Sequence, residues 1–315
     1  MKRLLGQTIA AVGLLAFASG AMAEDWTPPG PIKFLIAFAA GGGADTQARM
    51  IAAELEVAKG WKIIPEQATG KGGLNAVKAL NAAPKDGTTI AMIVTESLGY
   101  NMRAADAGGP DAATPITTTA GSQMAVVALT SKGYTTLGDV IEAAKGGEDI
   151  RFGAMSPALG DLAYVIGKAN DVDFNIVQVK GGKAVMNGLN AGDLDVGFGA
   201  GIQAKAVAAG EMVELASAKS GPLPGSPDAP LLTQYGVEFT NDTMFMIAGP
   251  GGMEPLAREA IASAVAEVLN AAGSEAAGFI TKGFGGVDLR SGDELTAFIQ
   301  DAYDQAGGLL DASAE

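Results

Sequence analysis

Pro31-Ile-Lys-Phe-Leu-Ile-Ala-Phe-Ala-Ala-Gly-Gly-Gly-Ala-Asp-Thr-Gln-Ala-Arg49 decides the class of this chain. The apolar run from Ile32 to Phe38 suits a buried strand. It breaks at Gly41, Gly42 and Gly43, and Ala48, Ile51, Ala52 and Leu55 then repeat at helical spacing. A strand, a glycine turn and a helix start in succession expose backbone N–H groups with no intrahelical partner, where an anion can be held.

The same unit recurs down the chain. Lys62 to Ile64 runs into Gly70, Gly72 and Gly73, and then a helix with Leu74, Val77 and Leu80. Thr88 to Val94 ends in Thr95-Glu96-Ser97, and strand 124–129 precedes a helix with Leu137, Val140 and Ile141. Arg151 to Ala154 leads through Ser156, Pro157, Ala158 and Gly160 to a helix with Leu162, Val165 and Ile166. Phe174 to Val179 ends at Gly181-Gly182, and Leu194 to Phe198 ends at Gly199-Ala200-Gly201. Met244 to Ala248 reads as a further strand, helices follow over about 254–272 and 293–307, and 108–115 and 221–230 read as surface loops. Such alternation predicts a largely parallel α/β architecture. In such sheets ligands sit beyond the carboxyl ends of the strands, where these loops lie, so the loops are expected to share one crevice.

Composition removes several alternatives. Lys2 and Arg3 precede an apolar segment to Phe17, and Ala21-Met22-Ala23 is a small-x-small cleavage site; an exported periplasmic protein starting at Glu24 is expected. The chain has no cysteine and no histidine, which excludes disulfide staples, Ser-His-Asp and Cys-His catalysis, and imidazole-based zinc sites. Neither a metal nor a cofactor is expected. The net charge of −14 disfavours nucleic acid as a partner.

Individual motifs have modest readings. Gly199-Ala-Gly-Ile-Gln-Ala204 spells the dinucleotide fingerprint, but an ordinary turn fits its late position better. Asp45 suits a helix cap or first-turn acid rather than a catalyst, with Arg49 one turn on as its partner. Lys71, between glycines, is either a cation reaching into a cleft or a solvated loop lysine; in the first case Lys71→Ala weakens anion binding more than Arg49→Ala. Lys180 is a weaker candidate of the same kind, and Thr95, Ser97 and Ser156 can donate to a carboxylate. No base accompanies Ser156 to make it a nucleophile.

The ordered motifs resemble the Bug, or tripartite tricarboxylate transporter, family of extracytoplasmic solute-binding proteins. Phe38-Ala-Ala-Gly-Gly-Gly-Ala-Asp45 with Arg49 is similar to its F-x-P-G-G-x-x-D-x-x-A-R signature. Ile64-Pro-Glu-Gln-Ala-Thr-Gly-Lys-Gly-Gly73, Ala83-Pro-Lys-Asp-Gly-Thr-Thr89, Val179-Lys-Gly-Gly182 and Leu189-Asn-Ala-Gly-Asp-Leu-Asp-Val196 follow in the family's order. The resemblance implies a type II periplasmic-binding-protein fold of two α/β domains, 24–126 plus 243–315 and 127–242. A ligand cleft would separate them, with hinge strands crossing near Ala125 to Ala128 and Asn241 to Met244. It implies a monomeric, non-enzymatic receptor for a small mono-, di- or tricarboxylate, delivered to a tripartite tricarboxylate-type permease; the alternatives are a ligand-sensing role beside a membrane signalling protein and, less favoured, a secreted enzyme acting on a carboxylated substrate with Asp45 or Lys71 in the chemistry. Carried over, Ala39, Ala40, Gly41, Gly42, Gly43, Gly70, Lys71, Gly72, Gly73, Thr95, Glu96 and Ser97 form one wall. Ser156, Pro157, Ala158, Gly160, Lys180, Gly181 and Gly199 belong to the opposite side. Ala40 replaces the family's proline, Lys71 stands where a small residue is usual, and Gln178-Val179-Lys180-Gly181 replaces Pro-Tyr-Lys-Gly.

Overall fold

The computed structural model describes residues 26–314; the expected leader, residues 1–23, lies outside them. Two five-stranded sheets organise the chain. The first is ordered β2-β1-β3-β10-β4, from β1 (Ile32–Ile36), β2 (Ile63–Gln67), β3 (Thr89–Val94), β4 (Ala113–Gly121) and β10 (Met244–Pro250). The second is ordered β7-β6-β8-β5-β9, from β5 (Ala125–Leu129), β6 (Arg151–Ala154), β7 (Asn175–Gln178), β8 (Val196–Gly199) and β9 (Met212–Ser217). In the first sheet β1, β2 and β3 are parallel, and β10 is antiparallel to β3 and β4. In the second, β6, β7 and β8 are parallel, and β5 is antiparallel to β8 and β9. The sheets are therefore mixed rather than largely parallel. The antiparallel members, β5 and β10, are the first strands after the chain changes sheet, so their direction follows from the crossing.

Helices cover these sheets. Around the first lie α1 (Gly43–Lys59), α2 (Leu74–Asn81), α3 (Thr95–Leu98), α4 (Tyr100–Ala104), α9 (Pro255–Asn270) and α10 (Glu275–Phe284). Around the second lie α5 (Leu137–Lys145), α6 (Pro157–Ala169), α7 (Gly182–Ala191) and α8 (Ala204–Ala208). The face of α1 expected from spacing is the buried one: Ala48, Ile51, Ala52 and Leu55 are all within 3% of complete burial. They pack with Phe34, Ile36 and the apolar side of α9, whereas the second sheet has its own core around Phe152 and Phe198. The last helix, α11 (Gly292–Ala314), spans both units. Leu295 and Ile299 enter a core of the first, and Leu309 and Ala312 pack against that of the second.

Several elements escape sequence reading, among them β4, β9, α4, α8 and α10. β4 includes Pro115, which belonged to an expected loop; β4 is an edge strand, where a residue without an N–H is tolerated. α10 does carry end signals, a Ser274 cap accepting from Ala277 N–H and a left-handed Gly285, and β9 follows a turn at Gly210. The expected crossing at Ala125 to Ala128 lies too late, because those residues are already β5 inside the second sheet. The change of sheet occurs at Ser122 to Met124, beside the returning chain: Ser122 N–H donates to the Thr243 carbonyl at 2.9 Å, and Asn241 N–H to Ala218 at 2.7 Å.

Asp195, at the entry to β8, pins the second sheet. Its carboxylate accepts from the Arg151 backbone N–H, from Nε and Nη2 of Arg151, and from Lys132 Nζ at 2.6 to 3.0 Å. Burial by itself would raise its pKa, and the bonds from Arg151 and Lys132 outweigh this and hold it well below the usual carboxylate range. A carboxyl depressed in the folded state stabilises above its unfolded pKa, and that contribution is lost as pH falls through the folded value. Asp195→Asn is expected to cost about 2 kcal/mol at neutral pH. It should also flatten the fall in urea midpoint that the unaltered protein shows on acidification below about pH 4. Equal acid sensitivity of the two proteins would refute this assignment.

Candidate functional site

A cavity of about 50 Å³ lies between the two units. On a scale where one water needs about 10–15 Å³, it admits only a small molecule in this closed arrangement. Three helix starts open on it. Gly42, Gly43 and Ala44 begin α1; Ser156 and Leu159 belong to the first turn of α6; Gly181 and Gly182 begin α7. Each start carries fractional positive charge from aligned peptide dipoles; at α6, however, Pro157 has no N–H and the Leu159 and Gly160 N–H groups are both taken by Ser156. The remaining wall is mostly hydrocarbon, from Phe38, Met124, Met155, Ile202, Phe245 and Phe284 among others, and among the described residues no lysine or arginine lines it.

The helix starts are held from behind. Asp45, 4% exposed, accepts from Gly41 N–H, Arg49 Nε and Gln67 Nε2; of the two expected readings it is the first-turn acid that braces the helix start, the cap position being Gly42. The Ser156 hydroxyl caps α6 by accepting from Leu159 N–H at 3.3 Å. Gln203 fixes the turn after β8: its Oε1 accepts from Gly201 N–H, and its Nε2 donates to the Gln123 carbonyl and to Glu214. The fingerprint-like Gly199 segment is thus a side-chain-stapled turn.

Of the expected ligand residues, Ala39, Gly42, Gly43, Glu96, Ser156 and Gly181 line the cavity. Others are supports one layer back. The Thr95 hydroxyl pairs with Thr243 and accepts from Met244 N–H, joining β3 to the returning crossing. The Ser97 hydroxyl donates to the Gly72 carbonyl at 2.7 Å. Gly160 lets α6 lie against Gln178, and Gly199 leaves room for Gln203. Ala40, Gly41, Gly70, Gly73, Pro157 and Ala158 flank the site without lining it. Lys71 and Lys180 are exposed, and neither ammonium lines the cavity. Gly72 and Pro157 meet at the cleft mouth, where a Cβ on Gly72 would lie 3.1 Å from the proline ring.

Sequence reasoning missed the apolar half of the wall. Phe245, Phe284, Met124, Met155 and Ile202 look like ordinary core residues, and no local pattern separates a cavity-lining phenylalanine from a packed one. Ser122 and Thr243 were also missed, although both sit on the crossings where a cleft must lie.

Contacts across the cleft close it. Ala39 N–H donates to the Lys180 carbonyl at 3.2 Å, Gln123 Nε2 to the Phe284 carbonyl at 2.7 Å, and the Tyr100 hydroxyl to Asp161 on α6. Burial, and then the adjoining Asp161 carboxylate, push the Tyr100 phenol far above its ordinary pKa, so it remains a donor. Gly181, at φ 100°, brings its backbone against Phe38, with space for a Cβ only 3.3 Å away.

The fold has solved counterparts. BugD, described as a periplasmic binding protein, is 18% identical, with a TM-score of 0.78 over 91% of this chain and 99% of its own. MatC from Rhodopseudomonas palustris, solved with malate, is 21% identical, with a TM-score of 0.77 over 91% of this chain and 100% of that one. Rpa4515 of R. palustris, solved with adipate, is 18% identical, with a TM-score of 0.79 over 91% and 98%. The fold is that of periplasmic solute-binding proteins. No protein-family model matches the sequence, and no curated protein matches it significantly.

A Cβ on Gly43 would fall 2.7 Å from the Phe284 ring within its own unit and 3.2 Å from Ile202 of the other, and through the second contact Gly43→Ala should hinder closure. We expect an unchanged circular dichroism spectrum and at least a tenfold loss of ligand affinity by calorimetry, about 1.4 kcal/mol. Unchanged affinity would show that α1 and Ile202 do not approach this closely in the bound state.

Proposed function

We propose that this chain is an exported solute-binding protein of the Bug, or tripartite tricarboxylate, type. It captures a small organic carboxylate between two domains, one built on each sheet and divided at the crossings 122–124 and 241–243, and delivers it to a membrane permease of the corresponding tripartite system. One observation carries the proposal: three helix N-termini, drawn from both sheet units, converge on one cavity with no basic side chain in its wall. Such a cavity recognises an anion through backbone N–H groups and dipoles in a weakly polar setting, where these count for more than they do in water. The malate of MatC and the adipate of Rpa4515 support the ligand class. The permease and the periplasmic location rest on the resemblance in the ordered motifs and on the expected leader.

In this mechanism the domains rotate about the crossings at Ser122 to Met124 and Asn241 to Thr243, and a ligand favours the closed form by bonding to both walls. The cross-cleft bonds of Ala39 and Tyr100 then form only on closure. Asp45 is committed to the α1 start, so it has no part in ligand chemistry.

Calorimetry and thermal melting of the chain from Glu24 against mono-, di- and tricarboxylates, sugars and metal cations test the proposal. One acid should bind, and at about 100 times its Kd should add about 2.7 kcal/mol of stability. Binding of a sugar or cation with no response to any acid would overturn it. Tyr100→Phe should weaken that acid about fivefold by removing one closed-state hydrogen bond, while Lys71→Ala should leave its affinity within about twofold, the result for an exposed side chain.

A further inference from the structure

The cavity proposed for an acid also contains a carboxylate of its own. Glu96, 9% exposed, stands in the wall at the end of β3. Its Oε1 accepts from Asn101 Nδ2 at 3.0 Å, and its Oε2 from Asn241 Nδ2 at 2.5 Å. Both donors are neutral amides. Among the described residues no lysine or arginine pairs with Glu96, and none lines the cavity. A second polar group in the same wall is incomplete: Ser122 Oγ, on a residue 1% exposed, has no hydrogen-bond partner.

Two charges of one sign in a small apolar cavity are unfavourable unless a third group offsets them. The helix starts can hold one carboxylate, the ligand's. Glu96 then faces that anion with only two neutral donors, and the missing element is a positive charge. Each Glu96 oxygen, with one amide bond made, keeps a lone pair for a further donor.

We propose that the ligand is a small zwitterion, an amino-carboxylate, whose carboxylate lies at the starts of α1, α6 and α7 and whose ammonium donates to Glu96. Ser122 Oγ can accept a second ammonium proton. The inference rests on the cavity being a carboxylate site and assigns the rest of the ligand. A 2-hydroxy acid, which donates without charge, ranks between the amino acid and the unsubstituted acid.

The test is calorimetry on the chain from Glu24 with matched sets of short mono- and dicarboxylic acids, each as parent acid, 2-hydroxy acid and 2-amino acid, beside the alkylamine of the same length. In the set that binds best, the amino acid should exceed its parent at least tenfold, the scale of one charge-assisted hydrogen bond. Glu96→Gln, which keeps the side chain's shape, should bring this ratio close to one. A purely structural role for Glu96 predicts equal loss for all members of a set and an unchanged ratio. The ratio in the unaltered protein tests the proposal even where the variant does not fold. A parent acid binding as tightly as its amino derivative, or a ratio that survives Glu96→Gln, would overturn the zwitterion and leave the carboxylate site standing. Binding of alkylamines with none of the acids would remove the carboxylate site instead, and no binding across all sets would remove both.

Discussion

A backbone-to-backbone hydrogen bond across the cleft, from Ala39 N–H to the Lys180 carbonyl, marks the constraint on which the rest of this structure depends. For it to form, the start of α1 must come within van der Waals reach of the start of α7. At this approach Gly181, in the left-handed region, leaves room for Phe38, while Gly43 leaves room for Phe284 of its own unit and for Ile202 of the other. Larger residues would separate the helix starts and with them the donors facing the cavity.

Around this contact the polar groups divide by layer. Those nearest the cavity are mainly helix N–H groups and the side chains of Glu96, Ser122, Ser156 and Thr243. Behind them Asp45, Thr95, Ser97 and Gln203 spend their hydrogen-bonding capacity on holding turns in place. A backbone site suits a small anion because its donors are fixed by the fold and need no flexible cation to be ordered on binding. The apolar remainder of the wall excludes water and strengthens every polar contact within it.

α11 adds a constraint of its own. Its first half belongs to the core with Leu295 and Ile299, and its second half lies against the other unit through Leu309 and Ala312. Tyr100, Ala158 and Ala306 meet where α4, α6 and α11 converge. The two units are therefore joined by a packed helix as well as by the crossings, and relative movement must slide or bend this third connection.

Sequence alone determined the units. Apolar runs ending in glycine or hydroxyl turns, followed by helical spacing, placed β1, β3, β6 and α1, α5, α6, because strand and helix burial leave distinct periods in local sequence. The first-turn role of Asp45 and its pairing with Arg49 were also legible, since both depend on spacing within a single turn of helix. Tertiary structure decided what stands around the ligand. Whether a loop lines the cavity or supports it depends on how two sheets meet, and residues far apart in sequence, such as Phe38, Ser122, Thr243 and Phe284, carry no local mark of that meeting. Lys71, the most suggestive cation in the sequence, is exposed, while Glu96, which looked like one member of a polar turn, lies buried in the cavity wall. The expectation of an anion at the glycine turn 41–43 rests on backbone geometry, which is local; the rest of the cavity wall is made by side chains that only folding brings together.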